Sequence, residues 1–343
     1  MRAAVFKGAD RKLEIETIDD PRPEPHQLLL KVHHCGVCGS DLHMTEAHSI
    51  SNLPPGSVMG HEFSGEIIEI GSALKGKFKT GQRVAGFPYI QCGVCEACTR
   101  GDSTFGACTG AKGIGLGQHH GAYAEYVTIG ANGAHALPDI VSSEEGALIE
   151  PLCVGLHAVD MAKMERGATV LVIGAGPVGL AVMLWARFLG ARHVIVSERA
   201  ETRKATAARF GATDAIDPNQ SLTAQVIAIA GKGPDIIFEC VGAPGMINGV
   251  MMDAPRGAKI VVAGVCQQMD QILPIMGIVK ELTLQFVLGY RPADFDYVIE
   301  MIAKDRVEAK HMITDRVTLD QLPDAFEALR EPTTQCKVMV GFQ

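Results

Sequence analysis

The chain has 343 residues, 20% of them charged and 47% hydrophobic, with a formal net charge of −8 and a pI near 5.8. That length accommodates two domains with separate cores, and that composition excludes an intrinsically disordered chain. The acidic balance opposes phosphate-rich partners, so neither nucleic acid nor an anionic membrane surface is expected.

The first third carries short strand-like runs, AAVF, QLLLKVH, FSGEIIEI, RVAGF and AYAEYVTI, punctuated by Gly and Pro. This is the mark of a β-rich domain. From about Glu144 the pattern changes, and Leu148, Leu152, Leu156 and Val159 recur at helical spacing. Strand runs then alternate with helical ones: ATVLVIG with VGLAVMLWARFLG, HVIVSE with RAETRKATAARFG, then SLTAQVIAIAG, DIIFECVG and KIVVAGV. Strands alternating with crossover helices predict an α/β fold, a doubly wound parallel sheet of Rossmann type. Residues 168–186 are uncharged and nearly long enough to cross a bilayer, but Gly174, Gly176, Pro177 and Gly179 divide them into strand, turn and helix. No membrane span is expected. From about Tyr290 a helix, DFDYVIEMIAKD, and mixed elements return to the style of the first third. The expected organisation is a β-rich domain over 1–150 with a cysteine lobe at 90–110, a coenzyme domain over 151–289, and a return to the first domain over 290–343. The opening MRAAVFKGADRKL has no apolar leader core, so the ten cysteines read as thiols of a reducing cytoplasm.

Three motifs carry chemistry. Cys35-Gly-Val-Cys38-Gly-Ser-Asp-Leu-His43 is followed by Gly60-His61-Glu62. A catalytic metal needs three protein ligands and one open position. Cys38 and His61 are expected to supply thiolate and imidazole, with Cys35 the rival to Cys38. Cys92, Cys95, Cys98 and Cys108 form a CxxCxxC run with a fourth cysteine after nine residues, a spacing that lets four thiolates converge on one structural Zn²⁺. Gly174-Ala-Gly176-Pro177-Val178-Gly179 lies between an apolar strand and an apolar helix, the setting in which GxGxxG marks a dinucleotide site. The glycines permit the turn, the pyrophosphate's approach and close packing of helix on strand. Glu198 ends the next strand, where a carboxylate accepts bonds from the adenosine ribose and repels a 2′-phosphate. NAD is therefore expected rather than NADP, although Arg199 and Arg203 are cations that could pair with that phosphate. Other groups have plainer readings. Cys153 and His157 are packing residues, Cys240, Cys266 and Cys336 core thiols in apolar strands, and His119 and His120 solvated turn residues. Phe87 and Met59 fit either a core or a pocket wall.

GVCGSDLH, GHEFSGEIIEIG, the cysteine lobe, IEPLCVGLHA and VLVIGAGPVGL occur in one order. Together they resemble the zinc-dependent medium-chain alcohol dehydrogenases, especially the sorbitol/polyol and secondary-alcohol branch, over essentially the whole chain. The resemblance implies a GroES-like catalytic domain beside the Rossmann domain. It also implies Cys38 rather than Cys35 as the catalytic ligand, His61 as the second, and Glu62 or Glu150 as the third. Asp41 would hold His61 by its other ring nitrogen, Ser40 would touch the alcohol, and His43 would pass the proton towards solvent. One departure stands out: the family usually has seven residues before the last lobe cysteine, where this chain has nine. The implied activity is hydride transfer between a secondary alcohol or polyol and NAD(P), giving a ketone or aldehyde. A hydrophobic cyclic or aryl alcohol is the rival substrate, and a zinc-independent enone reductase the rival enzyme. Implied partners are a small-molecule alcohol or ketone and copies of the chain itself, as a homotetramer or dimer.

Overall fold

A computed structural model describes residues 1–343 apart from His48, Ser51, Asn52, Ser103, Phe105, Pro332, Thr333 and Gln343. The chain forms two compact units, Met1–Glu150 with Arg291–Gln343, and Pro151–Tyr290.

The first unit begins with β1 (Arg2–Val5) paired to β2 (Glu14–Thr17), then β3 (Gln27–Gly36), α1 (Gly39–Met44), β4 (Glu62–Ile70) and β5 (Arg83–Gly86). The lobe region holds β6 (Tyr89–Ile90), α2 (Glu96–Thr99) and β7 (Lys112–Gly113), and β8 (Tyr126–Gly130), β9 (Ala134–Ala136) and α3 (Ser143–Ala162) follow.

The second unit is an unbroken alternation: β10 (Thr169–Ile173), α4 (Pro177–Phe188), β11 (His193–Ser197), α5 (Glu201–Arg209), β12 (Asp214–Ile216), α6 (Leu222–Ala230), β13 (Ile236–Glu239), α7 (Met246–Asp253), β14 (Lys259–Val262), α8 (Pro274–Lys280) and β15 (Thr283–Phe286). Its six strands are all parallel, in the order β12-β11-β10-β13-β14-β15. This is the Rossmann order, whose reversal point lies between β10 and β13. The strands read as apolar runs because helices cover a parallel sheet on both faces. Accordingly TVLVI of β10 is buried throughout, and Leu171, Ile195, Ile237 and Ile260 form the core.

The chain then returns to the first unit with α9 (Pro292–Ala303), β16 (Ile313–Thr318), α10 (Leu322–Ala328) and β17 (Lys337–Gly341). The main sheet there runs β16-β17-β3-β4-β5-β9, with β8 also on β3. The strand β3 is its spine. Its first half pairs with β8, its last three residues pair with β17, and β4 follows its length antiparallel. Gly36 thus lies between Met339 of β17 and Glu62 of β4. Leu28, Leu30, Val32, Phe63, Tyr123 and Val338 are fixtures of this core. Among the described residues no helix is long and apolar enough to cross a membrane.

Several expectations need correction. Cys240 falls one residue beyond β13 and is half-buried, Cys266 lies in the loop after β14, and Cys336 sits in the bend before β17. The apolar runs around these cysteines are strands that stop short of them. His119 is not solvated: its Nε2 is 2.7 Å from Thr128 Oγ1, and it is half-buried, whereas His120 is exposed. Of AYAEYVTI only Tyr126 onward is strand, because the backbone of Ala122 and Tyr123 is bonded to Met59 and Gly60 instead. Phe87 and Met59 are both buried, Met59 within the core and Phe87 edge-on to Phe295 at 5.5 Å.

Candidate functional site

Extended backbone at Cys38 opens α1, and the Asp41 carboxylate caps the helix by accepting from the Cys38 N–H at 3.2 Å. A carboxylate in the first turn satisfies otherwise orphaned amide donors. Ser40 Oγ donates to Cys38 Sγ at 3.3 Å. His61 immediately precedes β4, and Glu62 is that strand's first residue. Gly60 has φ +94°, and a methyl there would lie 2.6 Å from the Tyr123 ring and 2.9 Å from Cys35 Sγ, so only glycine lets the chain pass.

The ligand atoms of Cys38, His61 and Glu62 all lie within 4.8 Å of one another. Cys35 is not in this group. It is fully buried, its Sγ donates to the Gly36 carbonyl at 3.6 Å, and burial holds the thiol well above its usual pKa. Glu150, buried on α3, is not in the group either. His43 Nδ1 faces Glu46 Oε1 at 3.2 Å, with the ring part-exposed.

A cation invisible to the motif reading completes the cluster. Lys337, only 1% exposed, donates to both Glu62 oxygens at 2.7 and 2.6 Å and to the Val37 carbonyl at 3.0 Å. Burial works against its charge, yet Glu62 and then Cys38 raise its pKa above the ordinary value. Gly36 makes the contact possible, since a methyl there would sit 2.2 Å from Glu62 Oε2. His61 shows the same demand for positive charge. Burial disfavours its protonation, but Asp41 and Cys38 outweigh that and raise its pKa well above the usual value. Its Nδ1 faces Asp41 Oδ1 at 3.2 Å, although both atoms lack an aligned hydrogen-bond partner.

In the lobe, the thiols of Cys92, Cys95, Cys98 and Cys108 form a second group. Their separations are 3.5 Å (Cys95–Cys98), 3.7 Å (Cys95–Cys108), 3.5 Å (Cys108–Cys92) and 4.0 Å (Cys92–Cys98). A zinc–sulfur bond of about 2.3 Å puts tetrahedral sulfurs about 3.8 Å apart, so these edges fit that ion. The Cys98 N–H draws the Cys95 thiol down to about 6, whereas burial pushes the Cys98 thiol up to about 12. Ser103 and Phe105, in the longer segment before Cys108, lie outside the described residues.

The glycine loop sits at the sheet's reversal point. Gly174 has φ +93° and donates to the Ser197 carbonyl, and Gly176 caps α4 with Pro177 at its first position, followed by Val178. Around Gly176 an added methyl would meet nothing within 4 Å, whereas at Gly179 it would lie 2.0 Å from the Gly174 oxygen. The loop therefore leaves room above one glycine and packs tightly at another, as a phosphate cradle requires. Glu198 follows β11 and accepts from Ala175 N at 3.0 Å, Arg199 N at 2.7 Å and Ala200 N at 3.0 Å. Burial acts to raise its pKa, but these amides and Arg203 lower it overall. Arg199 is exposed and Arg203 part-buried.

Comparison with known proteins agrees with this geometry. Residues 24–139 match the alcohol dehydrogenase GroES-like domain, and 177–304 the zinc-binding dehydrogenase domain. Sorbitol dehydrogenase of Bacillus subtilis (strain 168) is 33% identical over 99% of this chain and 97% of its own. The chain belongs to the zinc-dependent medium-chain alcohol dehydrogenase family. The crystal structure of 2R,3R-butanediol dehydrogenase from Bacillus subtilis superposes with a TM-score of 0.86 at 29% identity, covering 100% of this chain and 99% of that one. A zinc-binding dehydrogenase candidate from Sinorhizobium meliloti 1021, bound to NADP, gives 0.87 at 30% identity, with 99% of each chain covered. The dehydrogenase is thus a zinc-binding, NAD(P)-dependent oxidoreductase. Its residues fit the metal chemically: a soft sulfur donor, an imidazole with one nitrogen facing a carboxylate at 3.2 Å, and a carboxylate of its own in Glu62. Sequence reasoning missed Lys337 and Tyr123. The only hint of the first is a lysine opening the apolar strand KVMVG.

Proposed function

We propose that this dehydrogenase interconverts a secondary alcohol or polyol with its ketone or aldehyde, using NAD. The observation that carries the reading is the convergence of Cys38, His61 and Glu62 donor atoms within one coordination sphere. The same convergence opposes a zinc-independent enone reductase. Cys38 and His61 would hold the catalytic ion and Asp41 would orient His61. Glu62 is the third donor the geometry favours, once its pairing with Lys337 opens, and Glu150 is the alternative. Zinc there would lower the pKa of a bound hydroxyl and polarise a bound carbonyl. Ser40, already within bonding reach of Cys38 Sγ, would take the hydroxyl proton, and part-exposed His43 beside Glu46 would carry it to solvent. The nicotinamide cofactor, when bound, would supply the hydride acceptor for the substrate carbon.

Gly174, Gly176, Pro177, Val178 and Gly179 would bind the pyrophosphate. Glu198 favours NAD because its held-ionised carboxylate repels a 2′-phosphate; three of its roughly four acceptor positions are occupied by amides, leaving one for a ribose hydroxyl. Arg199 and Arg203 are the residues that would serve NADP. We assign the catalytic role to residues 1–150 with 291–343, the coenzyme role to 151–290, and a structural zinc to Cys92, Cys95, Cys98 and Cys108. A cytoplasmic location agrees with thiols grouped as metal donors, and a homo-oligomer with the exposed apolar edge treated below.

Replacing Cys38 or His61 with Ala should remove one zinc per chain and abolish turnover while NAD binding persists. Metal analysis, coenzyme titration and a screen of polyols, simple secondary alcohols and aryl alcohols with NAD and NADP test it. Full zinc content and activity in either variant would end the assignment.

A further inference from the structure

Tyr123 lies in the AYAEYVTI run, which carries none of the metal-ligand or coenzyme motifs, yet it is built against the histidine's carboxylate. Its side chain is fully buried, and its hydroxyl donates to Asp41 Oδ2 at 2.5 Å. Asp41 is itself fully buried, and among the described residues no lysine or arginine bonds to it. Oδ2 takes two donors, the Tyr123 hydroxyl and the Cys38 N–H, so Oδ1 is the oxygen turned to His61 Nδ1. The backbone of Tyr123 is held on both sides and its ring is packed. Ala4 N donates to the Tyr123 carbonyl, Tyr123 N donates to the Met59 carbonyl, and the ring fills the space that side-chain-free Gly60 leaves next to His61. Burial keeps the phenol protonated, hence a donor.

We propose that Tyr123 is a positioning residue for the metal-binding histidine, acting through Asp41. Its hydroxyl pins one carboxylate oxygen so that the other stays aimed at His61 Nδ1, which fixes the ring and leaves Nε2 for the ion. A buried carboxylate deprived of that donor would turn to recover bonding and lose its aim. This rests on the reading that Cys38 and His61 hold the catalytic ion.

The test uses the zinc-loaded full chain and Tyr123→Phe, which keeps the ring and removes only the hydroxyl. Chelator competition should show the catalytic zinc held about 10-fold more weakly, within the range for loss of a group supporting a metal-bound histidine. The visible spectrum of the cobalt-substituted protein should shift. Asp41→Asn should weaken the zinc as well, and adding Tyr123→Phe to it should weaken it no further, since residues acting through one another are non-additive. Unchanged affinity and cobalt spectrum in Tyr123→Phe would overturn the proposal, as would independent losses in the double variant. A change in thermal stability with affinity intact would make Tyr123 a packing residue only. Cys38→Ala run in parallel separates the two readings: if it retains every zinc, the site assignment itself has failed.

Discussion

Lys337 and Glu62 form an ion pair with almost no exposure on either side. Such a pair contributes little beyond an apolar replacement, but removing one partner strands a buried charge. Lys337→Met should therefore destabilise the protein by about 3–5 kcal/mol in denaturant titration, and Lys337→Met with Glu62→Met should recover most of that loss. A stability loss under about 1 kcal/mol in the single variant would mean that Glu62 finds another partner. At this scale the sequence was informative for ligands close to each other and silent on partners far away. Cys38 and His61 stand in compact motifs whose residue types announce metal chemistry. Choosing Cys38 over Cys35 took the resemblance, and the structure gives the physical reason: Cys35 lies within β3 with a buried thiol, and Cys38 lies beyond the strand's end. Lys337 lies 275 residues from Glu62 and Tyr123 82 from Asp41, and no local pattern reports such pairings.

At the scale of elements, the alternation from β10 to β14 was legible where strands and helices repeat one period for several residues, whereas α7 and β15 went unread. The two-residue strands β6 and β7 were not legible, since their pairing is set by the lobe and too short to show a period. Helix α8 was missed because its seven residues, PIMGIVK, are apolar nearly throughout and too few to show a helical period. One property belongs to elements rather than to single residues. Burial lowers the pKa of His33 and His34 on β3 and of His119 ahead of β8. These rings are neutral when folded, and the unfolded chain binds their protons more readily. Stability is thus fully present above the ordinary value of about 6.5 and is lost as pH falls below it. The melting temperature should drop between pH 7 and 5.5, and His119→Gln should flatten that slope by at most about 1.4 kcal/mol per pH unit. An identical pH profile in the variant would show that His119 takes up its proton without loss of folding.

For the whole molecule, the question is what the exposed end of the parallel sheet meets. The strand β15 is its last member, with an unpaired outer edge. Phe286 is 61% exposed, Leu288 68%, Ile278 71% and Met269 96%. Open edges and clustered apolar side chains mark association surfaces. If copies associate there, Phe286→Asp should shift sedimentation towards a smaller species, and a profile matching the parent protein would count against this edge as an association surface. The ion pair at Lys337 also bears on synthesis. Cys38, His61 and Glu62 leave the ribosome early, while their lysine neighbour lies in the last strand of the chain. The Glu62 carboxylate therefore meets its cation only when β17 docks on the end of β3. A substitution that weakens the seam between those two strands would leave a buried carboxylate facing no cation, far from the altered residue in sequence.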